Sequence, residues 1–150
     1  MLLAVLATTA VLLVLRRREE RAARTDRALR MVTASDVVPL HLGPAPGMPA
    51  DAHGSYRTRP GASVAVLTTT HLPEVAAKET YVAWAHRKEG WRSLGIVVVE
   101  SDGRSLLVSE VPPDASKPDE IRVTRESRSP GDAPEGPTVL MGPASDAAPR

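Results

Sequence analysis

The sequence contains no cysteine, no phenylalanine, no asparagine and no glutamine among its 150 residues. Without cysteine, the chain has no disulfide, thiolate zinc site, iron–sulfur cluster or cysteine nucleophile. Without asparagine, it has no N-glycosylation site. Aromatic residues make up only 3% of the chain, so a folded core must be built mainly from aliphatic side chains.

Glycine and proline are absent before Pro39, although the whole chain contains 10 Gly and 14 Pro. Charge is also unevenly placed. The first 30 residues hold seven arginines against three acidic residues, a net charge of +4, whereas the rest of the chain carries −3. The overall charge of +1 gives no general attraction to nucleic acid, and it conceals a basic head joined to a mildly acidic body.

The head begins with an uncharged apolar run, residues 1–15 (MLLAVLATTAVLLVL), followed at once by Arg16, Arg17 and Arg18. A helix of this length spans about 22 Å, against about 30 Å of bilayer hydrocarbon. We favour a transmembrane helix that lacks its first few residues and is extended by the snorkelling arginines. A cleaved signal peptide and a buried soluble helix are the alternatives. The first lacks a basic n-region, and the second would interleave apolar and charged residues.

A basic helical stem is expected over residues 16–33, because no helix breaker occurs there and Glu20 and Arg24 are spaced as i,i+4 partners. A nucleic-acid-binding arm is not expected, since no aromatic residues interleave with the arginines. The positive-inside rule would place the stem and the body in the cytoplasm. That rule compares both flanks of a span, and the sequence offers only one, so the orientation stays open on this ground.

The body changes to short strand-like segments separated by proline- and glycine-containing turns. These segments are residues 36–42, 54–59, 62–70, 80–87, 91–100, 104–111, 121–126 and 138–141. About eight short strands predict a mainly β fold, an antiparallel β-sandwich of immunoglobulin-like size over residues 34–143, with residues 144–150 as a disordered tail. Pro39 predicts that the first strand lies at an edge or carries a bulge. The SDG turn at residues 101–103 predicts a hairpin between the strands around it.

No catalytic or cofactor-binding motif occurs in the sequence, so we expect neither enzymatic activity nor a cofactor. No G-x-S-x-G, G-x-G-x-x-G or Walker sequence is present. A metal site is not expected, because no histidine forms an H-x-x-x-H or H-E-x-x-H pair with another (His41, His53, His71 and His86). The aromatic residues of the body are candidates for a ligand-stacking surface, although core packing is the simpler interpretation (Tyr56, Tyr81, Trp84 and Trp91).

Residues 80–96 (TYVAWAHRKEGWRSLGI) resemble the Tyr-x-x-Trp strand, short turn and glycine-containing strand of the anti-sigma-K factor (RskA-type) C-terminal domain. The residues that carry this resemblance are Tyr81, Trp84 and Gly95. The resemblance continues in order through SVAVLTTTHLPEVAAKETY, SDGRSLLVSEVP, IRVTRE and PEGPTVLMG. It departs from the family at Val82 and Ala83, where Gln and Leu are more usual, and at residues 127–129, where a Pro/Gly-rich turn is more usual.

The resemblance implies a single-pass membrane regulator whose C-terminal β-domain lies outside the membrane. In such proteins a cytoplasmic zinc-associated domain holds a sigma factor away from RNA polymerase until regulated proteolysis releases it. The His-x-x-x-Cys-x-x-Cys motif of that domain cannot exist in a chain without cysteine. We therefore expect only the regulatory half of an anti-sigma factor in this chain.

The expected partners are membrane lipid and an intramembrane or site-1 protease, with a sigma factor bound only through a domain that this chain does not contain. No nucleic-acid partner is expected. The alternative, from another class of protein, is an anchored or secreted module that binds a cell-envelope ligand and has no link to transcription.

Overall fold

The computed structural model describes residues 37, 39–59, 61–112, 117–127 and 131–143. It contains eight strands: β1 (Leu40–Pro44), β2 (His53–Arg57), β3 (Val64–Thr70), β4 (Glu79–Arg87), β5 (Gly90–Val97), β6 (Ser105–Glu110), β7 (Glu120–Ser127) and β8 (Thr138–Pro143). All eight predicted strands are found, with ends shifted by a few residues. In these described stretches, no helix has the length and apolar character needed to cross a membrane. The predicted span, stem and tail lie outside them.

The strands form one antiparallel sheet in the order β5-β4-β7-β8-β1-β2-β3-β6. Two halves of this sheet meet in β1, whose first three paired residues bond to β2 while Gly43 and Pro44 pair with β8. The sheet curls until its edge strands β5 and β6 approach each other. The mainly β, antiparallel architecture is thus confirmed. Its two halves are continuous in one nearly closed sheet, rather than separate layers of a sandwich.

The predicted hairpin between the fifth and sixth strands is wrong, although its turn exists. The N–H of Gly103 donates to the Glu100 carbonyl, and the N–H of Glu100 donates to the Arg104 carbonyl. Beyond this turn the strands diverge, because β5 pairs with β4 and β6 pairs with β3. The Gly103 carbonyl also accepts the N–H of Leu72, just after β3. This contact holds the turn beside the end of β3, which favours pairing of β6 with that strand.

The prediction that Pro39 marks an edge strand is also wrong. β1 begins at Leu40, directly after the proline, and pairs on both sides. Proline has no backbone N–H and cannot donate to a sheet ladder. The proline therefore precedes an interior strand instead of lying in the middle of an edge strand.

The core fills the space between the two halves and is mainly aliphatic. Its buried members are Leu42, Ala52, Tyr56, Ala65, Leu67, Leu72, Tyr81, Ala83, Ala85, Leu94, Val97, Val111, Ile121, Val123, Val139 and Leu140. A smaller cluster joins Val64 and Val66 to Val37. Because successive side chains of a strand alternate between faces, this cluster lies on the outer face of β3. Both faces of β3 are therefore buried, which explains its unbroken apolar run VAVL.

Candidate functional site

The residues singled out by the sequence, Tyr81, Trp84 and Gly95, lie on neighbouring strands but face different surroundings. Gly95 of β5 pairs with Ala83, which lies between the other two on β4. Tyr81 points into the core, and its hydroxyl donates to the Pro73 carbonyl at 3.2 Å. Trp84 is on the opposite face of β4, as the alternation of side chains requires. The three residues therefore do not form a single pocket.

A buried chain of hydrogen bonds begins at Trp84. Its indole N–H donates to Thr124 Oγ1 at 2.8 Å, and the Thr124 hydroxyl donates to Glu126 Oε1 at 2.5 Å. The Glu126 carboxylate also accepts the backbone N–H groups of Glu135 (3.1 Å) and Gly136 (2.9 Å). Trp84 and Thr124 are fully buried, and Glu126 is 4% exposed. These hydrogen bonds attach the β7–β8 connection to the outer face of the sheet.

The carboxylate of Glu126 has a structural task, because it bonds to the segment between β7 and β8. A buried carboxylate is tolerated only when donors compensate for its lost hydration. Here one hydroxyl and two backbone N–H groups do so. Gly136 permits the close approach, because a Cβ at that position would overlap the Arg125 carbonyl oxygen.

Gly95 lies beside a β-bulge that shapes the edge of the sheet. The register between β4 and β5 shifts next to its pair with Ala83, which leaves Leu94 as the extra residue. The backbone φ angle of Gly95 is 132°, a value that favours glycine. A Cβ at this position would also come within 3.2 Å of Leu107 Cδ1 on β6. Glycine therefore lets β5 approach β6 and brings the sheet close to closure.

The fourth aromatic residue, Trp91, lies half-buried on the outer face of β5. The Arg122 guanidinium carbon is 4.7 Å from its ring centroid, and the His86 ring centroid is 4.9 Å away. Arg122 is held in place by Glu120, whose Oε1 accepts from the guanidinium Nε at 3.0 Å and from a terminal nitrogen at 2.7 Å. The sequence did not single out Arg122, because its contact with Trp91 joins strands that are distant along the chain.

These placements argue against the aromatic residues as a ligand-stacking surface. Tyr56, Tyr81 and Trp84 are 1%, 2% and 0% exposed, so none of them can stack on an external ligand in this fold. The ring of Trp91 is covered in part by a guanidinium group. Core packing accounts for the first two residues, and the hydrogen-bond chain accounts for Trp84.

Two histidines meet beside Asp51. The Nδ1 atoms of His53 and His71 lie 2.7 and 3.2 Å from its backbone oxygen. A carbonyl oxygen can only accept, so both Nδ1 atoms carry a hydrogen and donate it. The ring centroids are 6.1 Å apart. Within the described stretches, no cluster of three histidine, aspartate or glutamate residues could hold a metal ion.

A buried polar pair that the sequence did not reveal joins Tyr56 of the core to Arg87, the last residue of β4. Tyr56 is 1% exposed and Arg87 is 8% exposed. Burial raises the pKa of the Tyr56 hydroxyl, and the positive charge of Arg87 and the nearby Thr58 side chain partly oppose that rise. Among the described residues, no group meets hydrogen-bond geometry with this hydroxyl. Tyr56 and Arg87 lie in opposite halves of the sheet, so no local sequence motif predicts their contact.

Tyr56 is expected to make the fold less stable in alkaline solution. Its pKa in the folded state is raised above the ordinary 10.0. Its contribution to stability is therefore complete below that pH and is lost as the pH rises through the folded-state value. Tyr56→Phe should lessen the fall in unfolding free energy above about pH 10. At neutral pH the same variant should change stability by less than about 1 kcal/mol, since no hydrogen bond is lost.

Urea unfolding at a series of pH values measures this effect. Tyr81→Phe is the comparison variant, because it leaves Tyr56 as the only tyrosine of the chain. Identical pH profiles for the wild-type chain and Tyr56→Phe would contradict the prediction.

The chain matches a known protein family over most of its length. Residues 2–139 match the family model described as "Anti-sigma-K factor rskA, C-terminal". The matched stretch runs through the apolar run and the arginine-rich segment, and it reaches into β8. No curated protein and no solved structure matches the chain significantly. The predicted stem residues Arg16, Arg17 and Arg18 lie outside the described residues.

Proposed function

The chain belongs to the anti-sigma-K factor RskA C-terminal family, and on that premise we propose that it is the membrane-anchored, extracytoplasmic regulatory domain of an anti-sigma factor. The observation that carries the proposal is the extent of the match, which covers residues 2–139 and not the strands alone. In this proposal, residues 1–15 anchor the chain in lipid. The arginines of residues 16–33 lie beside lipid headgroups, and the eight-stranded sheet lies outside the cytoplasm.

The proposed mechanism works through protein–protein contact and proteolysis. The sheet shields or exposes residues 16–32 to a protease, and cleavage there releases the sigma factor. The chain has no cysteine, so it lacks the zinc motif with which this family contacts a sigma factor. That contact requires a domain outside these 150 residues.

The start of the sheet suggests how the fold can control the stem. Val37 is 8% exposed and packs against Val64 and Val66 on the outer face of β3. This contact lies only a few residues after the stem. Any event that loosens the outer face of β3 would therefore release the residues nearest to the proposed cleavage region. Conversely, an intact contact keeps Val37 against folded structure.

The proposal is tested with a reporter that is active only outside the cytoplasm, fused after Arg150. We expect an active reporter and a chain in the membrane fraction, while deletion of residues 1–15 should move the chain to the soluble fraction. In the same strains, Val37→Asp should alter transcripts of one promoter set, because a charge cannot be buried against Val64 and Val66 without a large penalty.

Leu106→Asp is the matched control, since Leu106 is 60% exposed and tolerates a charge. An inactive reporter on a chain that is present in the membrane fraction would overturn the orientation. Unchanged transcripts in a strain that lacks the whole chain would overturn the link to a sigma factor.

A further inference from the structure

The chain enters the sheet at one end, which we call the stem-side end. All neighbouring strands are antiparallel, so the odd-numbered strands begin at this end and the even-numbered strands finish there. Val37 precedes β1 and packs here against Val64, the first residue of β3. Residues 1–36, with the proposed membrane anchor, are therefore joined to the sheet at the stem-side end.

Formal charge is divided unequally between the two ends. We split each strand at its midpoint and counted each connection with the end at which it lies. The stem-side half of the described residues then holds seven basic and four acidic residues, a net charge of +3. An ion pair within this half, such as Arg122 with Glu120, leaves the net charge unchanged. The residues counted are Arg57, Arg59, Arg87, Lys88, Arg92, Lys117 and Arg122, against Glu89, Glu110, Asp119 and Glu120.

The opposite end, which we call the far end, is acidic. By the same division it holds three basic and eight acidic residues among those described, a net charge of −5. A surface of negative charge would therefore attract the stem-side end and repel the far end. Six of the eight acidic residues lie in exposed connections: Asp51, Glu74, Glu100, Asp102, Asp132 and Glu135.

The stem-side end also carries side chains that suit the boundary between lipid and water. Trp91, the second residue of β5, is half-buried, and tryptophan rings favour the headgroup level of a bilayer. Val111 and Pro112 line an opening of about 510 Å³ at this end, and Pro112 is exposed. Lys88 and Arg92 are exposed beside β5. Their long side chains can hold a charge against headgroup phosphates while their methylene groups lie on less polar surface.

We propose that the stem-side end docks on an anionic phospholipid bilayer, with Lys88 and Arg92 against headgroup phosphates and Trp91 at the headgroup level. The inference rests on the proposed membrane anchor, because a sheet tied to the bilayer at this end meets the surface at a high local concentration. It adds a defined orientation, since an anchor alone leaves the sheet free to rotate above the lipid. In the docked state the sheet restricts the access of a protease to residues 16–32.

Quenching of tryptophan emission by brominated lipid tests the docking in the full chain. The chain is placed in phosphatidylcholine nanodiscs with or without phosphatidylglycerol, and part of the phosphatidylcholine carries bromine near the headgroup end of its acyl chains. We expect stronger quenching with phosphatidylglycerol. The difference should vanish in about 1 M salt, where the Debye length is about 3 Å. Trp91→Phe should abolish the quenching, because Trp84, the other tryptophan, is fully buried.

Reversal of charge at one end at a time identifies the docking surface. Lys88→Glu combined with Arg92→Glu should lower the ratio of docked to undocked chain about tenfold or more in discs with phosphatidylglycerol. Lys78→Glu is the matched control, because it makes the same change at an exposed lysine of the far end. It should leave the quenching unchanged.

Melting curves establish that each variant is folded before quenching is compared. Equal quenching of the wild-type chain with and without phosphatidylglycerol would overturn the docking and leave the anchor intact. Equal losses in the double variant and Lys78→Glu would mean a general effect of net charge and would overturn the assigned surface. Failure of the wild-type chain to float with phosphatidylcholine vesicles would instead overturn the anchor, and with it the docking that rests on it.

Discussion

Trp84→Ala is expected to lower the free energy of unfolding by about 3–5 kcal/mol. The indole is fully buried, so its removal leaves a cavity that the surrounding strands can only partly fill. The change also takes away the N–H that Thr124 Oγ1 accepts. Chemical denaturation followed by far-ultraviolet circular dichroism measures the loss.

The effect should extend beyond β4, because Thr124 links Trp84 to the Glu126 carboxylate and so to the β7–β8 connection. Thr124→Val keeps the shape of the side chain and removes only the hydroxyl. We expect it to cost about 1–2 kcal/mol, because the buried indole N–H and the carboxylate each lose one partner. Hydrogen exchange at the amides of Glu135 and Gly136 should accelerate in both variants.

Trp91→Ala is the matched control for Trp84→Ala, since Trp91 is the only other tryptophan of the chain and is half-buried. Its loss should cost much less. In Trp91→Phe, the remaining emission comes from Trp84 and should resist an aqueous quencher. Comparable destabilisation by the two alanine variants, or ready quenching of Trp84, would show that the outer face of β4 is open.

The alternation within β4 could be predicted because a strand has a fixed period of two. The sequence places Tyr81, Ala83 and Ala85 on one face, and the structure buries all three in the core. Burial of Trp84 on the other face could not be predicted in the same way. The backbone N–H groups of Glu135 and Gly136, in the distant β7–β8 connection, donate to the Glu126 carboxylate that ends the hydrogen-bond chain from Trp84. No local sequence pattern predicts that contact.

The wrong prediction of a hairpin at residues 101–103 has a similar physical cause. A glycine-containing turn between two apolar segments predicts local pairing, and the turn itself does form. The choice of partner depends on contacts across the fold. β5 pairs with β4 instead, and the N–H of Leu72 bonds to the Gly103 carbonyl and holds the turn near β3. The contact between Tyr56 and Arg87 could not be predicted from the sequence for the same reason, since the two residues meet only after the sheet has curled.

The last glycine of PEGPTVLMG, which belongs to the family resemblance, has a physical reason in the structure. Gly142 lies in β8 between β7 and β1. A Cβ at this position would overlap the His41 carbonyl oxygen and would come within 3.2 Å of Leu42 Cα. Both obstructing atoms belong to the backbone of β1, the strand that joins the two halves of the sheet. They cannot rotate away as a flexible side chain could.

Gly142→Ala is therefore expected to destabilise the fold by about 2–3 kcal/mol, because β1 and β8 must separate to admit one methyl group. Gly43→Ala is its matched control. Gly43 lies in β1 on the same pair of strands, and a Cβ there would meet no atom within 4 Å. It should change stability by less than about 1 kcal/mol. The denaturant midpoints of the two variants measure this difference in stability. Equal midpoints would show that β1 can shift freely against β8, so that the join between the two halves of the sheet is loose rather than rigid.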